Sequence, residues 1–312
     1  MQAYKKIKAL GTELEFYLQS ELKRNFDLDF LELEKIVNDF ENSFSRFILS
    51  SELSLLNRST DSFWASPTLI DILQTAHKFY SLTAGIFNPA MLTSLERIGY
   101  DRSFDLIDSN DTAEVSPKTN EPVNFDLLTI DIDNNLISKP ADLKIDLGGI
   151  GKGYLVDLLV KSLNIKGYKN FWISAGGDMY LSGLSEDKKP YQVGVQNPIK
   201  LDEDIANITV IGHKLAVATS GIAKRRWHKG SKIYNHVIDP RTGTSIENDL
   251  LAVTVISDEA VKADVFAKVV LILGKEQGIE FINQQSNTEA LIIDKDLEFT
   301  LSKEMNKYLT II

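Results

Sequence analysis

The 312-residue sequence contains no cysteine. Within these residues that excludes disulfides, thiolate metal centres and cysteine nucleophiles, and a lipid-modified amino-terminal cysteine is not expected. No apolar run approaches the roughly 18 residues that a membrane-spanning helix needs, so none is expected. The opening segment, MQAYKKIKALGTELEF, is charged and alternating and lacks the apolar stretch of a signal peptide. A soluble, cytoplasmic chain with no stable membrane insertion is therefore expected. Positive charge is also scarce: 34 Lys and Arg stand against 44 Asp and Glu, a formal net charge of -10. A nucleic-acid protein needs a basic stripe to neutralise phosphates, so the balance argues against that class. One small anionic ligand is not excluded, because a few N–H groups and cations suffice for a single phosphate. There are 4 histidines, His77, His213, His228 and His236. No pair has the spacing of a zinc cluster.

Hydrophobic residues make up 43% and charged residues 25%, an ordinary globular composition that permits a sizeable core. The length predicts one large domain, taken as residues 4–312, or two intimate subdomains within it. Residues 4–19 read as two strands about a Gly11 turn, with alternation in TELEFYL. Residues 28–43 have the apolar spacing of a helix, and FSRFILSSELSLLN then breaks that pattern with serines. Ser66-Pro67 opens a second helix to about Leu82. Residues 101–125 are polar and read as a surface excursion. Beyond them LTIDID, LKIDL, YQVGV, NITVIG, LAVATSG and ALIID read as strands, GYLVDLLVKSL as a helix, and FWISAGGDMYLSG as strand, glycine turn, strand. LAVTVISD runs into Ser257-Asp258, an expected cap for a helix that ends at Gly274. Strands outnumber helices and connections are short, which predicts α+β: mixed, largely antiparallel sheets covered by a few helices.

Four segments concentrate glycine beside polar residues: Asp146–Gly153, Ser174–Asp178, Thr219–Gly221 and Asp239–Gly243. Glycine lets backbone turn sharply and approach a ligand closely. The first joins a predicted strand to a helix start, where N–H groups, the helix dipole and Lys152 favour a phosphate. It is not a P-loop, since Gly153 follows Lys152 and Asp146 occupies the first glycine position. The Gly149, Gly151, Gly153 spacing also misses the dinucleotide fingerprint. Taken singly, each loop can be a turn and nothing more. His77 falls in a predicted helix and reads as structural, whereas His236 follows a strand and precedes the D-P-R-T-G turn. Trp64, Trp172 and Trp227 can stack on a planar ring or pack in a core.

Read in order, the segments resemble a known family. SELSLLN (51–57), GIFNP (85–89), DLGGIGKGYLVD (146–157), SAGGDMYLSG (174–183), TSG (219–221), HVIDPRTG (236–243) and VTVI followed by Ala263-Asp264 correspond to successive motifs of the FAD:protein FMN transferase family, also called ApbE. The correspondence runs from about residue 10 to residue 294. It implies a compact ApbE-like α+β fold and a reaction: FAD is cleaved at its pyrophosphate and FMN is transferred to a threonine or serine hydroxyl of an acceptor flavoprotein, with magnesium. It implies FAD-binding roles for Asn57, Asp146, Gly149, Lys152, Gly177, Asp178, Thr219, Ser220, Gly221 and Arg225. His236 is the candidate base, since an imidazole titrates near neutrality. Asp239 either orients it or caps a turn. The implied metal ligands are the Gly151 carbonyl and Asp264.

At one position the sequence departs from the family. Where members carry a metal-binding Thr or Ser four residues after the Asp, this chain has Lys268. An ammonium donates three hydrogen bonds and accepts none, so it cannot ligate magnesium. Three readings follow: Lys268 replaces the metal as a catalytic cation; magnesium still binds through Asp264, water and the FAD phosphates with Lys268 turned away; or the transfer chemistry is lost and the chain is a flavin-binding module or acts on another substrate. An FAD pyrophosphatase with water as acceptor uses the same residues. The acceptor's identity and the oligomeric state have no signature in the sequence.

Overall fold

The computed structural model describes residues 1–107, 110–111, 124–223 and 225–312. They form two compact units: Met1–Asp39, Ile150–Ala223 and Asp249–Ile312 make the first, Phe40–Gly149 and Lys224–Asn248 the second. The architecture is α+β.

The first unit is built on an eight-stranded sheet in the order β1-β2-β7-β8-β11-β16-β17-β18. These strands are β1 (Gln2–Ala9), β2 (Thr12–Gln19), β7 (Asn170–Ala175), β8 (Asp178–Ser182), β11 (Lys214–Gly221), β16 (Leu250–Ser257), β17 (Glu289–Asp294) and β18 (Phe299–Leu301). Every neighbouring pair is antiparallel. Period-two patterning seats them: in β2, Leu14, Phe16 and Leu18 are buried while the residues between them are not. A smaller sheet, β19 (Leu309–Ile311), β10 (Asp204–Thr209) and β9 (Gln192–Gln196), shares a core with one face of the large one through Val193, Ile208, Leu215, Val217 and Ile293. Helix α1 (Phe26–Phe44) begins in this unit, and its buried Asp29 accepts from the Tyr168 hydroxyl at 2.6 Å.

The other face carries α5 (Gly151–Ile165) on β7 and β8, α6 (Ala260–Leu273) on β11 and β16, and α7 (Lys275–Asn283). α6 is apolar nearly all round, as a fully buried helix must be, and Val265, Phe266, Ala267, Val269 and Val270 are wholly buried. The amino termini of α5 and α6 cap each other. Neither has a side-chain cap of its own. Instead the Gly153 N–H donates to Asp264 Oδ2 at 3.1 Å, and Asp157 accepts from the Ala260 and Val261 N–H groups at 3.0 and 2.9 Å. The expected Ser257-Asp258 cap is thus corrected: Ser257 donates to the adjacent Asp258, and Asp157, a helix away, takes the orphan donors. This reciprocity requires close approach. A Cβ on Gly153 would lie 2.6 Å from the Ala260 carbonyl oxygen.

In the second unit are α2 (Glu52–Arg58), α3 (Pro67–Leu82) and α4 (Leu92–Arg97). Its strands are β3 (Phe63–Trp64), β4 (Asn110–Asp111), β5 (Thr129–Asp131), β6 (Leu136–Ser138), β12 (Arg226–Lys229), β13 (Lys232–Asn235), β14 (Ile238–Asp239) and β15 (Thr244–Ser245). They pair as β3-β6-β5, β13-β12-β4 and β14-β15. α3 starts as expected: Ser66 Oγ accepts from the Leu69 N–H and Pro67 stands in the first turn. The serines after α1 do more than interrupt. Ser51 Oγ accepts from the Ser54 N–H and begins α2, which the serine-rich composition concealed. LKIDL is also corrected, for it joins no sheet. Its backbone is held instead by the Asn57 side chain, which donates to the Ile145 carbonyl at 2.8 Å and accepts from the Ile145 N–H at 2.7 Å, and by the Pro89 carbonyl, which accepts from the Asp146 N–H at 2.9 Å. Most of the predicted 101–125 excursion lies outside the described residues.

Two tests follow from the paired helix ends. Gly153→Ala should cost about 2–3 kcal/mol by overpacking, read as a lower urea midpoint at unchanged slope; a loss below about 0.5 kcal/mol would refute the close approach. The second concerns pH. Burial raises the Asp157 carboxyl from 3.8 to about 6, outweighing the two N–H bonds that pull it down. A folded pKa above the unfolded one means that its stabilising contribution is fully present below pH 3.8 and lost as pH rises through about 6. Relative to Asp157→Asn, the wild type should therefore lose up to about 3 kcal/mol between pH 4 and 7 in denaturant titrations. Parallel stability curves would contradict this.

Candidate functional site

Within the first unit the glycine loops place charges at the helix-bearing face of the sheet. Gly176 and Gly177 both have positive φ, 63° and 97°, and form the two-residue turn between the paired residues Ala175 and Asp178. Such a turn matches the twist of antiparallel strands and demands residues tolerant of positive φ at both positions. It delivers Asp178 as the first residue of β8, only 2% exposed. Lys152, in the first turn of α5, pairs with the Asp178 carboxylate. A buried carboxylate needs such a partner, and the pair fixes the ammonium at the start of β8. Gly151 is buried as the first residue of α5.

Asp264, 3% exposed, lies on α6 one turn before Lys268, whose Nζ is 3.7 Å from Asp264 Oδ1. Its second oxygen accepts from Gly153 N–H. Strand alternation separates Thr219 from Ser220. Thr219 lies on the face of Leu215 and Val217, away from α5 and α6, and its hydroxyl is 2.9 Å from that of Thr254 on β16. Ser220 is on the helix-covered face with Ala216 and Ala218. Gly221 ends β11, where a Cβ would lie 2.9 Å from the Leu251 carbonyl oxygen.

The donor set at Asp264 does not fit a divalent cation. One carboxylate oxygen is engaged by a backbone N–H and the other faces an ammonium. Magnesium takes oxygen ligands in near-octahedral array. Among the described residues no three His, Cys, Asp or Glu side chains are grouped to hold a metal.

Within the second unit, Asp146 is bound by Arg46, whose Nε lies 2.7 Å from its Oδ2, and its Oδ1 accepts from the Gly148 N–H at 2.8 Å. Gly149, half-buried, ends this turn. The Arg46 guanidinium sits over the rings of Phe47 and Tyr100, 4.3 and 4.7 Å from their centroids. Burial raises the pKa of Tyr100, and Arg225 and Arg46 beside it pull the other way. Arg225 thus joins Arg46, Asp146 and Tyr100 in one cluster. The Asn57 side chain is spent on the backbone of Ile145, so its place is beneath the Asp146 turn.

His236 is half-buried, at the bend between β13 and β14. Both neighbours are tied down. Asn235, 4% exposed, donates from Nδ2 to the Ile246 carbonyl at 3.0 Å and accepts from the Val237 N–H at 3.0 Å. Its own N–H donates to Ser245 Oγ, which donates in turn to the Asn235 carbonyl at 2.7 Å. The Asp239 carboxylate accepts from its own turn, at the Arg241 N–H, and from the Arg241 guanidinium, while its carbonyl accepts from the Gly243 N–H at 2.8 Å. Asp239 therefore closes the D-P-R-T-G turn. Trp227 is 3% exposed and donates to the Ile98 carbonyl at 2.8 Å, in a small core with Met91, Leu95 and Tyr234.

Arg46, Tyr100, Asp157 and Asn235 were not singled out from sequence. Asp157 ends the DLGGIGKGYLVD segment and Asn235 precedes His236, so position was their only signal. Arg46 and Tyr100 lie outside every motif.

Compared with known families, residues 10–292 match the ApbE family. The FAD:protein FMN transferase of Vibrio cholerae is 26% identical over 270 residues, covering 85% of this chain and 79% of that protein. That of Escherichia coli K12 is 32% identical over 145 residues, 46% of this chain and 41% of its own length. Among solved structures, the ApbE protein of Thermotoga maritima superposes with a TM-score of 0.86 at 22% identity over 99% of both chains, a likeness of fold.

Proposed function

The chain belongs to the ApbE family, and from that premise we propose that it is an FAD:protein FMN transferase, moving FMN from FAD to a threonine or serine hydroxyl of an acceptor flavoprotein. The observation that carries the reading is the family match over residues 10–292, which takes in every candidate residue from Asn57 to Lys268. In the reaction the acceptor hydroxyl oxygen attacks the phosphorus on the flavin side of the pyrophosphate. A new P–O bond forms, the bond to the bridging oxygen breaks, and AMP leaves with that oxygen.

Two chemical demands follow, and this chain has residues for each. Charge on the non-bridging oxygens must be met by fixed cations and N–H donors. Lys152, anchored by buried Asp178, and Arg225, beside Tyr100, are the cations in our reading. The Gly177 turn and the Thr219–Gly221 segment offer backbone groups at strand ends. The hydroxyl proton must also leave. His236 takes it, held at its bend by Asn235 and Ser245. Within the second unit, Asn57, Asp146, Gly149 and Asp239 shape its turns.

The test is purified protein, FAD and a flavin-accepting domain with a serine or threonine acceptor, read by intact mass and AMP release. The expected result is one FMN gained by the acceptor for each AMP released. AMP with free FMN and an unlabelled acceptor would replace the transferase by a pyrophosphatase, and FAD binding without product would leave a flavin carrier. His236→Ala should lower transfer by about 100-fold or more while FAD affinity changes little. Transfer within about threefold of wild type would remove His236 from the base role.

A further inference from the structure

The α6 pair offers a positive charge at a place where the family reading puts a metal ion. Asp264 and Lys268 stand one helical turn apart, with side chains 4% and 17% exposed and Nζ 3.7 Å from Oδ1. A carboxylate buried this deeply is costly unless its charge is met. Here it is met twice, by the Lys268 ammonium and by the Gly153 N–H at 3.1 Å. The Gly153 bond also fixes the carboxylate relative to the first turn of α5, where Lys152 pairs with Asp178. A divalent ion on Asp264 would have to displace an ammonium or lie against it, and Lys268 supplies no lone pair while charged.

We propose that Lys268 is a built-in substitute for the divalent cation: its ammonium occupies the cation position on Asp264 and serves the phosphates of the substrate in place of a metal, so the wild-type chain binds no divalent ion there. The assignment to phosphate rests on the transferase reading above. The claim about the cation position does not, and can be tested alone.

The experiment is a titration of the 312-residue protein with Mn2+ followed by electron paramagnetic resonance, with neither FAD nor acceptor present. Wild type, Lys268→Thr, Lys268→Ser, Asp264→Asn and Lys268→Thr/Asp264→Asn are compared after circular dichroism shows that each is folded. The expected result is no stoichiometric Mn2+ in the wild type, one bound ion in either Lys268 variant, at least about tenfold tighter than wild type (roughly 1.4 kcal/mol), and its loss in the double variant. One ion in the wild type that Asp264→Asn abolishes would overturn the proposal, since a metal then binds despite Lys268. No binding in either folded Lys268 variant would overturn it equally, because Lys268 would then be only a counter-ion for a buried carboxylate. A failed transferase reading would show differently, as no mass gain on any acceptor with the titration outcome unchanged.

Discussion

The first unit depends on two helix ends that satisfy each other. The first-turn N–H groups of any helix lack internal partners, and burying them unpaired is costly. α5 and α6 have no cap of their own, so each borrows a carboxylate from the other: Asp264 for the Gly153 N–H, Asp157 for those of Ala260 and Val261. The exchange works only because residue 153 lacks a side chain. Its consequence is chemical as well as structural. Asp264 is held in place for Lys268, and the turn that bears Lys152 is set against the sheet that bears Asp178.

The second unit solves a related problem with amides. The segment through Ile145 and Asp146 belongs to no sheet, and Asn57 and Pro89 take its backbone groups instead. An asparagine amide presents a donor and an acceptor together, as a strand neighbour would. Asn235 does the same beside His236, binding Ile246 and Val237. In both places an asparagine side chain is committed to backbone beside a candidate functional residue, which narrows the positions that residue can adopt. Asp239 closing its own turn with Arg241 fits that pattern.

Local patterns in the sequence carried much of the fold. The alternation of TELEFYL, the Ser66-Pro67 start of α3 and the Gly274 stop of α6 each state a local rule that the structure keeps. What the sequence concealed was long-range. The cap of α6 is an aspartate 103 residues away, and no reading of Ser257-Asp258 reveals it. LKIDL looks like a strand because its residues suit one, yet its partner is a side chain 88 residues distant. The motif glycines and Lys152 were legible as a group because their order and spacing match a family. Arg46 and Tyr100 were not, since a guanidinium over two rings leaves no trace in either local sequence.

The most direct test of the reciprocal cap is amide hydrogen exchange in wild type and Asp157→Ala. The Gly153 N–H is bound by Asp264, not by Asp157. If the two helix ends form one cooperative element, the variant should speed exchange at Ala260, Val261 and Gly153 together, by similar factors. Faster exchange at Ala260 and Val261 with Gly153 unchanged would show two independent caps, and the account of Asp264 as held in place by that junction would be wrong.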